Sequence, residues 1–266
     1  MAFMQDNPSQ DRTAATLFYS DRDYERAVRV LERISKHVLW RFAVVGGISN
    51  RALYPEWAEQ NRSKKFNDLD IVLLPTPADE GTPPLSTSIK DDYFITYIGP
   101  LARYFGTIDR TDYVSVDIFT SDRDIATQQM VLEGRTYLVL TPEERYLSMA
   151  RDIYGTLTKG RILDPKHIKF LAFLESRIDR HKLEQLWEAE IKIVKQNEVY
   201  RFTTFKGYLE QIDRLVHDKQ DLTQEKVPGT QKRPYDIPRH EAFGITVENE
   251  ADFYAAYAKK RELIGD

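Results

Sequence analysis

Two short apolar segments, each meeting polar residues at one end, constrain the fold most. Residues 42–45 are apolar and run directly into two consecutive glycines. Such a run, stopped by glycine, is typical of a short buried strand that ends in a turn. In the second segment, Asp68 and Asp70 would leave the same face of a strand, while Leu69 and Ile71 point the other way. The segments therefore predict two core strands beside a polar site.

Periodicity and turn residues predict most of the remaining N-terminal elements. We expect an amphipathic helix over 21–39, a short helix over 48–54 and an exposed insertion over 55–66, with strands over 41–45, 68–74, 113–120 and 137–140. Residues 89–112 are ambiguous. Within them, 93–98 have the composition of a strand, whereas 101–105 favour a helix that ends at Gly106.

From Thr141 onwards the sequence pattern changes from mixed strands and helices to helices. A hydroxyl residue, a proline and two glutamates follow one another there, which is a strong signal for the start of a helix. Further helices are predicted over 165–197, 200–218 and about 249–264. The fold class expected is therefore α+β. A mixed β-sheet with flanking helices would fill a domain over residues 1–140, and a helical C-terminal domain would cover 141–266.

Composition excludes several kinds of protein. At 266 residues, with 41% hydrophobic and 30% charged residues, the chain is expected to be globular. It has no cysteine, and its five histidines show no metal-ligand spacing, so a zinc site is not expected. A formal charge of −4 gives no whole-chain signal for nucleic acid. No window approaches 18 apolar residues, so we expect a cytoplasmic protein without a membrane segment.

Three carboxylates form the candidate metal site. Asp117 lies among apolar neighbours on the predicted strand 113–120, so that adjacent strands would bring it to Asp68 and Asp70. Hard oxygen ligands without histidine or cysteine favour Mg²⁺ or Mn²⁺. Two such ions about 3.5–4 Å apart stabilise both oxygens of an in-line displacement at phosphorus. We therefore predict that these aspartates bind metal and are catalytic.

The glycine turn is the candidate phosphate site. Gly46 and Gly47 let the backbone approach a phosphate closely, and the Ser49 hydroxyl can donate to its oxygens. Arg51, in the short helix that follows, is a further candidate for contact with phosphate. Combined with the carboxylates, this arrangement predicts nucleotidyl transfer from a nucleoside triphosphate.

The order Gly46-Gly47-Ile48-Ser49, Asp68-Leu69-Asp70 and then Asp117 resembles the nucleotidyltransferase superfamily, whose fold is shared with DNA polymerase beta. The segment from Gly46 to Leu53, with Arg62-Ser63, is similar to the abortive-infection type nucleotidyltransferase toxins of bacterial toxin–antitoxin pairs. That resemblance implies ATP or another triphosphate as donor, a tRNA end or a protein hydroxyl as acceptor, and an antitoxin partner.

Two departures from that pattern affect the expected site. Twenty residues separate Gly47 from Asp68, a longer gap than is usual in the superfamily. The toxin-like group has a lysine in the helix after the third carboxylate, where this chain offers Arg151, with Lys159 as another candidate. Arginine neutralises phosphate charge with a different geometry from lysine. We expect one of these two residues to contact the triphosphate.

Other functions remain open at this point. The chain could be a non-catalytic nucleotide- or partner-binding protein that retains the fold, or a small-molecule nucleotidyltransferase of the aminoglycoside type. A phosphohydrolase would use the same carboxylates with a metal-activated water. Aromatic residues between 93 and 105 could stack a base, although most of them should belong to the core.

Overall fold

The computed structural model describes residues 21–60, 68–74, 76–98, 103–121, 123–158, 165–194, 204–218, 255–256 and 258–259. The chain forms two compact units. The first consists of Met1–Asp124, Gln128–Val139 and Pro234–Asp266, and the second of Ile125–Thr127 and Leu140–Arg233. Within the described ranges, no helix has the length and apolar character needed to span a membrane. A domain boundary at residue 140 stays a prediction.

The first unit contains a mixed sheet, with four α-helices between Asp21 and Asp92. The helices are α1 (Asp21–His37), α2 (Gly46–Leu53), α3 (Pro55–Gln60) and α4 (Ile89–Asp92). The strands are β1 (Phe42–Val45), β2 (Asp68–Leu73), β3 (Tyr93–Ile98), β4 (Tyr104–Asp109), β5 (Ser115–Thr120), β6 (Thr127–Leu132) and β7 (Arg135–Leu140). Helix α2 begins at Gly46, two residues earlier than predicted. Of the predicted insertion, 55–60 is the helix α3 and 61–66 lies outside the described residues.

The seven strands form one sheet in the order β3-β4-β5-β2-β1-β7-β6. Strand β2 lies near its centre, antiparallel to β1 and parallel to β5. Strand β1 is in turn parallel to β7, while β4 is antiparallel to both β3 and β5. The expectation of a mixed sheet with flanking helices is therefore confirmed.

One face of the sheet packs on α1 to make the core. Helix α1 contributes apolar residues at helical spacing, including Ala27, Leu31 and Ile34, all fully buried. Leu69 and Ile71 of β2 belong to the same buried cluster. Because strand side chains alternate, Asp68 and Asp70 lie on the opposite face. The core thus determines which face carries the carboxylates.

An ion-pair cluster attaches α1 to the connection between β4 and β5. The Arg33 guanidinium donates to both carboxylate oxygens of fully buried Asp109, at 2.8 Å each, and to Asp112 at 2.6 Å. Arg29 donates to the other oxygen of Asp112 at 2.9 Å. Burial alone would raise the pKa of Asp112, but the hydrogen bonds from Arg29 and Arg33 outweigh it and hold that pKa below its usual value. This cluster is a structural connection between helix and sheet.

The structure contains two strands, β4 and β6, that the sequence pattern did not predict. The helix favoured over 101–105 is wrong at its described end, because Tyr104 begins β4 and Gly106 lies inside that strand. Pairing with β3 and β5 on both sides satisfies its backbone groups, and this tertiary context overrides the local pattern. Strand β6 was not among the predicted strands, and it reaches β7 through a two-residue turn at Glu133 and Gly134.

Four helices form the described part of the second unit: α5 (Pro142–Thr158), α6 (Pro165–Glu175), α7 (Arg180–Val194) and α8 (Phe205–Asp218). The single helix predicted over 165–197 is divided in two. Asp179 explains the break, since its carboxylate accepts hydrogen bonds from the backbone N–H groups of His181 and Lys182 and so caps α7. The predicted loop at 219–240 lies outside the described residues, as does most of the predicted last helix.

Candidate active site

Asp70 and Asp117 face each other across two adjacent parallel strands. They are register partners in the β2–β5 ladder, and neighbouring strands lie about 4.8 Å apart. Their side chains therefore leave the same face of the sheet, opposite the core. Both residues are half-buried. Two like charges so close together repel unless a positive group lies between them or hydrogen bonds compensate them. The predicted convergence of these two aspartates is present.

Gly46 lies directly against Asp70. The β1–β2 ladder pairs Asp70 with Val45, the residue before Gly46. Gly46 has a φ of +72°, and a Cβ at this position would overlap Asp70 Oδ2 and lie 2.9 Å from its Cγ. Only glycine accommodates both this backbone conformation and the close approach. Asp70 is thus bordered by the start of α2 on one side and by Asp117 on the other.

The backbone at the N-terminus of α2 is accessible to solvent at Gly47. That residue is exposed, and a Cβ there would meet nothing within 4 Å. No side chain at the N-cap position, Val45, makes a capping hydrogen bond. The first-turn N–H groups of a helix attract anions, because they lack intrahelical partners and lie at the positive end of the helix dipole. The surface beside Asp70 is therefore suited to phosphate.

Ser49 and Arg51 occupy the same helix with different surroundings. Ser49 is buried, at 4% exposure, and its hydroxyl donates to the Gly46 carbonyl oxygen at 3.2 Å. In this arrangement the hydroxyl stabilises the first turn of α2. Arg51 is half-buried near the end of the helix. Contacts of Ser49 and Arg51 with a triphosphate stay predictions.

Asp68 is the outermost of the three carboxylates. It is exposed at the start of β2 and pairs with Ser115, so it shares the face of Asp70 but lies two residues away from the Asp70–Asp117 pair. Among the described residues, no group of three or more histidine, cysteine, aspartate or glutamate side chains is arranged to hold a metal ion. Mg²⁺ commonly binds through one or two carboxylates and completes its shell with water and phosphate, which Asp70 and Asp117 fit. Asp68 as a further ligand stays a prediction.

The predicted basic residues belong to the second unit. Arg151 lies on α5, where its guanidinium is 3.7 Å from Glu190 Oε1 on α7. Arg151 is about half exposed, whereas Glu190 is buried. Lys159 lies outside the described residues. A role for either residue at the triphosphate stays a prediction.

The structure brings one further residue, Tyr104, to the candidate site. Its phenol donates a hydrogen bond to Asp117 Oδ1 at 2.8 Å. Its ring also packs against Phe119, a large apolar side chain with 40% exposure on the same face of the sheet. The local pattern over 101–105 favours a helix, so nothing in it points Tyr104 towards Asp117. Only the pairing of β4 with β5 shows it.

One solved structure shows a resemblance to this chain. It is an antigenic nucleotidyltransferase-like protein from Paracoccidioides brasiliensis, with a TM-score of 0.41 and 13% sequence identity. The alignment covers 76% of this chain and 89% of that chain. No protein-family model matches the chain, and a comparison with curated proteins gives no match.

Proposed function

We propose that this protein is a Mg²⁺-dependent nucleotidyltransferase, which moves a nucleoside monophosphate from a nucleoside triphosphate to an acceptor hydroxyl. The observation that carries the proposal is the position of Asp70, in register with Asp117 on one side and against the glycine start of α2 on the other. The carboxylate pair is suited to a divalent ion, and the helix N-terminus is suited to phosphate. Both lie at the same end of the central strands.

Asp70 and Asp117 would hold the ion, with Asp68 as an additional ligand. When bound, a divalent ion neutralises triphosphate charge and makes the α-phosphorus more electrophilic. The exposed backbone at Gly47 would let the β- and γ-phosphates approach the N-terminus of α2, where the helix dipole favours negative charge. Arg151 or Lys159 would offset the charge of the leaving pyrophosphate.

The chemical step is an in-line displacement. The acceptor oxygen forms a new bond to the α-phosphorus, while the bond from that phosphorus to the pyrophosphate oxygen breaks. The electron pair of the broken bond leaves with pyrophosphate. The proton of the acceptor hydroxyl passes to a carboxylate oxygen of Asp117 and then to water. From the sequence resemblance to the toxin-like group, we propose a tRNA end or a protein hydroxyl as the acceptor, and an antitoxin as a partner.

The experiment follows label from the triphosphate to its acceptor. The purified protein is incubated with each α-labelled nucleoside triphosphate, Mg²⁺ and total bacterial RNA and protein, and the labelled fraction is identified. We expect label on one macromolecular fraction, with pyrophosphate released in equal amount. Asp70→Asn should abolish this transfer, while Asp91→Asn, the same change at an exposed position on α4, should leave it intact.

Three outcomes would contradict the proposal. Undiminished transfer by the Asp70→Asn protein would show that the carboxylate pair is not the site. Release of nucleotide without any labelled acceptor would indicate a phosphohydrolase. Thermal stabilisation by a nucleotide and Mg²⁺ without release of pyrophosphate would indicate a binding protein that lacks catalysis.

A further inference from the structure

Tyr104 contacts Asp117, yet the reaction described above gives it no role. Its hydroxyl lies 2.8 Å from Asp117 Oδ1, a normal distance for a phenol that donates to a carboxylate. Tyr104 is half-buried, as is Asp117. A carboxylate has two oxygens, and this hydrogen bond engages one of them. The carboxylate is thereby held in one orientation on the face of the sheet that also carries Asp70.

The Tyr104 side chain extends along its strand towards Gly106. The register of β4 and β5 places Tyr104 opposite Phe119, and Gly106 opposite Asp117. The hydroxyl therefore reaches two residues along its own strand before it meets the carboxylate. A Cβ at Gly106 would lie 3.5 Å from the Tyr104 hydroxyl oxygen and 2.7 Å from Thr96 Oγ1. The distance to the hydroxyl is an ordinary van der Waals contact, so the phenol lies directly beside Gly106, and the close approach is to Thr96.

Two neighbouring rings restrict how Tyr104 can move. Its ring centroid is 5.4 Å from that of Tyr97 on β3 and 5.1 Å from that of Phe119 on β5. Both ring pairs are tilted, by 46° and 40°, which is within the range of favourable aromatic contacts. Since a ring packed on two sides has few alternative rotamers, the hydroxyl is held at Asp117 before any ligand binds.

The hydrogen bond also addresses the electrostatic problem of the site. Asp70 and Asp117 are carboxylates in register on adjacent strands, so each raises the free energy of the other's charged form. A phenol donor compensates part of the charge of Asp117 and prevents its carboxylate from rotating away from Asp70. Partners of this kind, which orient a metal ligand without touching the metal, commonly affect metal affinity or activity by about 10–100-fold.

We propose that Tyr104 is a positioning residue that fixes the orientation of the Asp117 carboxylate towards the divalent ion and the acceptor proton. This inference rests on the proposed function, because it assigns Tyr104 a role in the same site. In this role Tyr104 acts through Asp117.

A double-mutant cycle on the full chain tests the inference. The proteins are the wild type, Tyr104→Phe, Asp117→Ala and the double variant, with Mn²⁺ affinity measured by electron paramagnetic resonance without nucleotide. We expect Tyr104→Phe to weaken Mn²⁺ binding about tenfold in the wild-type background and to have no further effect once Asp117 is replaced. In the transfer assay, Tyr104→Phe should lower kcat and leave the KM for the triphosphate unchanged.

The control is Tyr93→Phe, which also removes a phenol hydroxyl from this sheet. Tyr93 is fully buried on β3, and its hydroxyl donates to the Val30 carbonyl oxygen of α1 at 3.2 Å. Its loss should lower the free energy of unfolding by about 1 kcal/mol without changing Mn²⁺ affinity. This control separates a general loss of stability from a loss of positioning at Asp117.

The possible failures are distinguishable. A wild-type protein that neither binds Mn²⁺ nor transfers nucleotide would refute the proposed function, and the role of Tyr104 with it. A wild-type protein that does both, while Tyr104→Phe matches it, would refute the role of Tyr104 alone. The same refutation follows if Tyr104→Phe weakens Mn²⁺ binding equally in both backgrounds, because its effect would then not pass through Asp117.

Discussion

Replacing Gly46 with alanine should disturb the candidate site more than any other change of a single methyl group. The new Cβ would overlap Asp70 Oδ2 and lie 2.9 Å from Asp70 Cγ, whereas ordinary contacts begin at 3.4 Å. Either the Asp70 side chain or the start of α2 must therefore move. A displacement approaching 1 Å at a reacting group lowers rates by about 100-fold. We expect a fall in kcat of that order.

The same substitution should also reduce stability by a calculable amount. An alanine held at a φ of +72° costs about 1–2 kcal/mol, and an Asp70 side chain forced away from its rotamer costs about 0.5–1.5 kcal/mol. Together these terms amount to roughly 2–3 kcal/mol. For a folding unit of about 150–250 residues, that corresponds to a fall in Tm of roughly 5–10 °C. Differential scanning calorimetry measures this shift.

Gly47→Ala is the matched control, since it adds the same methyl group at the next residue. A Cβ there would meet nothing within 4 Å, and alanine favours a helix over glycine by up to about 1 kcal/mol. Its Tm should be unchanged or slightly higher, while the KM for the triphosphate rises about tenfold because the methyl group occupies the approach to the phosphates. If Gly46→Ala is as stable as the wild type, the close contact between Gly46 and Asp70 is refuted. If it loses stability but transfers nucleotide at the normal rate per folded molecule, the importance of that contact for catalysis is refuted.

Two further predictions concern stability. Because the pKa of Asp112 is lowered in the folded state, the stabilisation from its pairs with Arg29 and Arg33 is present above pH about 4 and is lost as the pH falls further. Urea unfolding at pH 6 and pH 3 should therefore show a smaller pH dependence for Asp112→Asn than for the wild type, and equal dependence would contradict the role of this pair. Glu133 adopts a φ of +47° beside Gly134 at +71°. Asn-Gly is preferred in such hairpin turns, so Glu133→Asn should raise stability by up to about 1 kcal/mol in thermal unfolding, and an unchanged or lower Tm would argue against it.

Much of the local structure was predictable from the sequence because it depends on neighbouring residues. Alternation placed Asp68 and Asp70 on one face of β2, and the helix start at Pro142 followed from its capping residues. The segment around Tyr104 could not be predicted in the same way. Aromatic residues followed by a glycine are compatible with a helix end or with a strand, and the pairing partners on both sides decide between them.

The sequence by itself determined the types of residue in the candidate site and the face of the strand on which each one lies. Only the tertiary structure decided that Asp70 is in register with Asp117, that Gly46 lies against its carboxylate, and that the Tyr104 hydroxyl reaches Asp117. The physical reason is the range of the interactions involved. Side-chain alternation is a local property of an extended backbone, whereas strand order and register follow from the packing of a core whose parts are far apart in the chain.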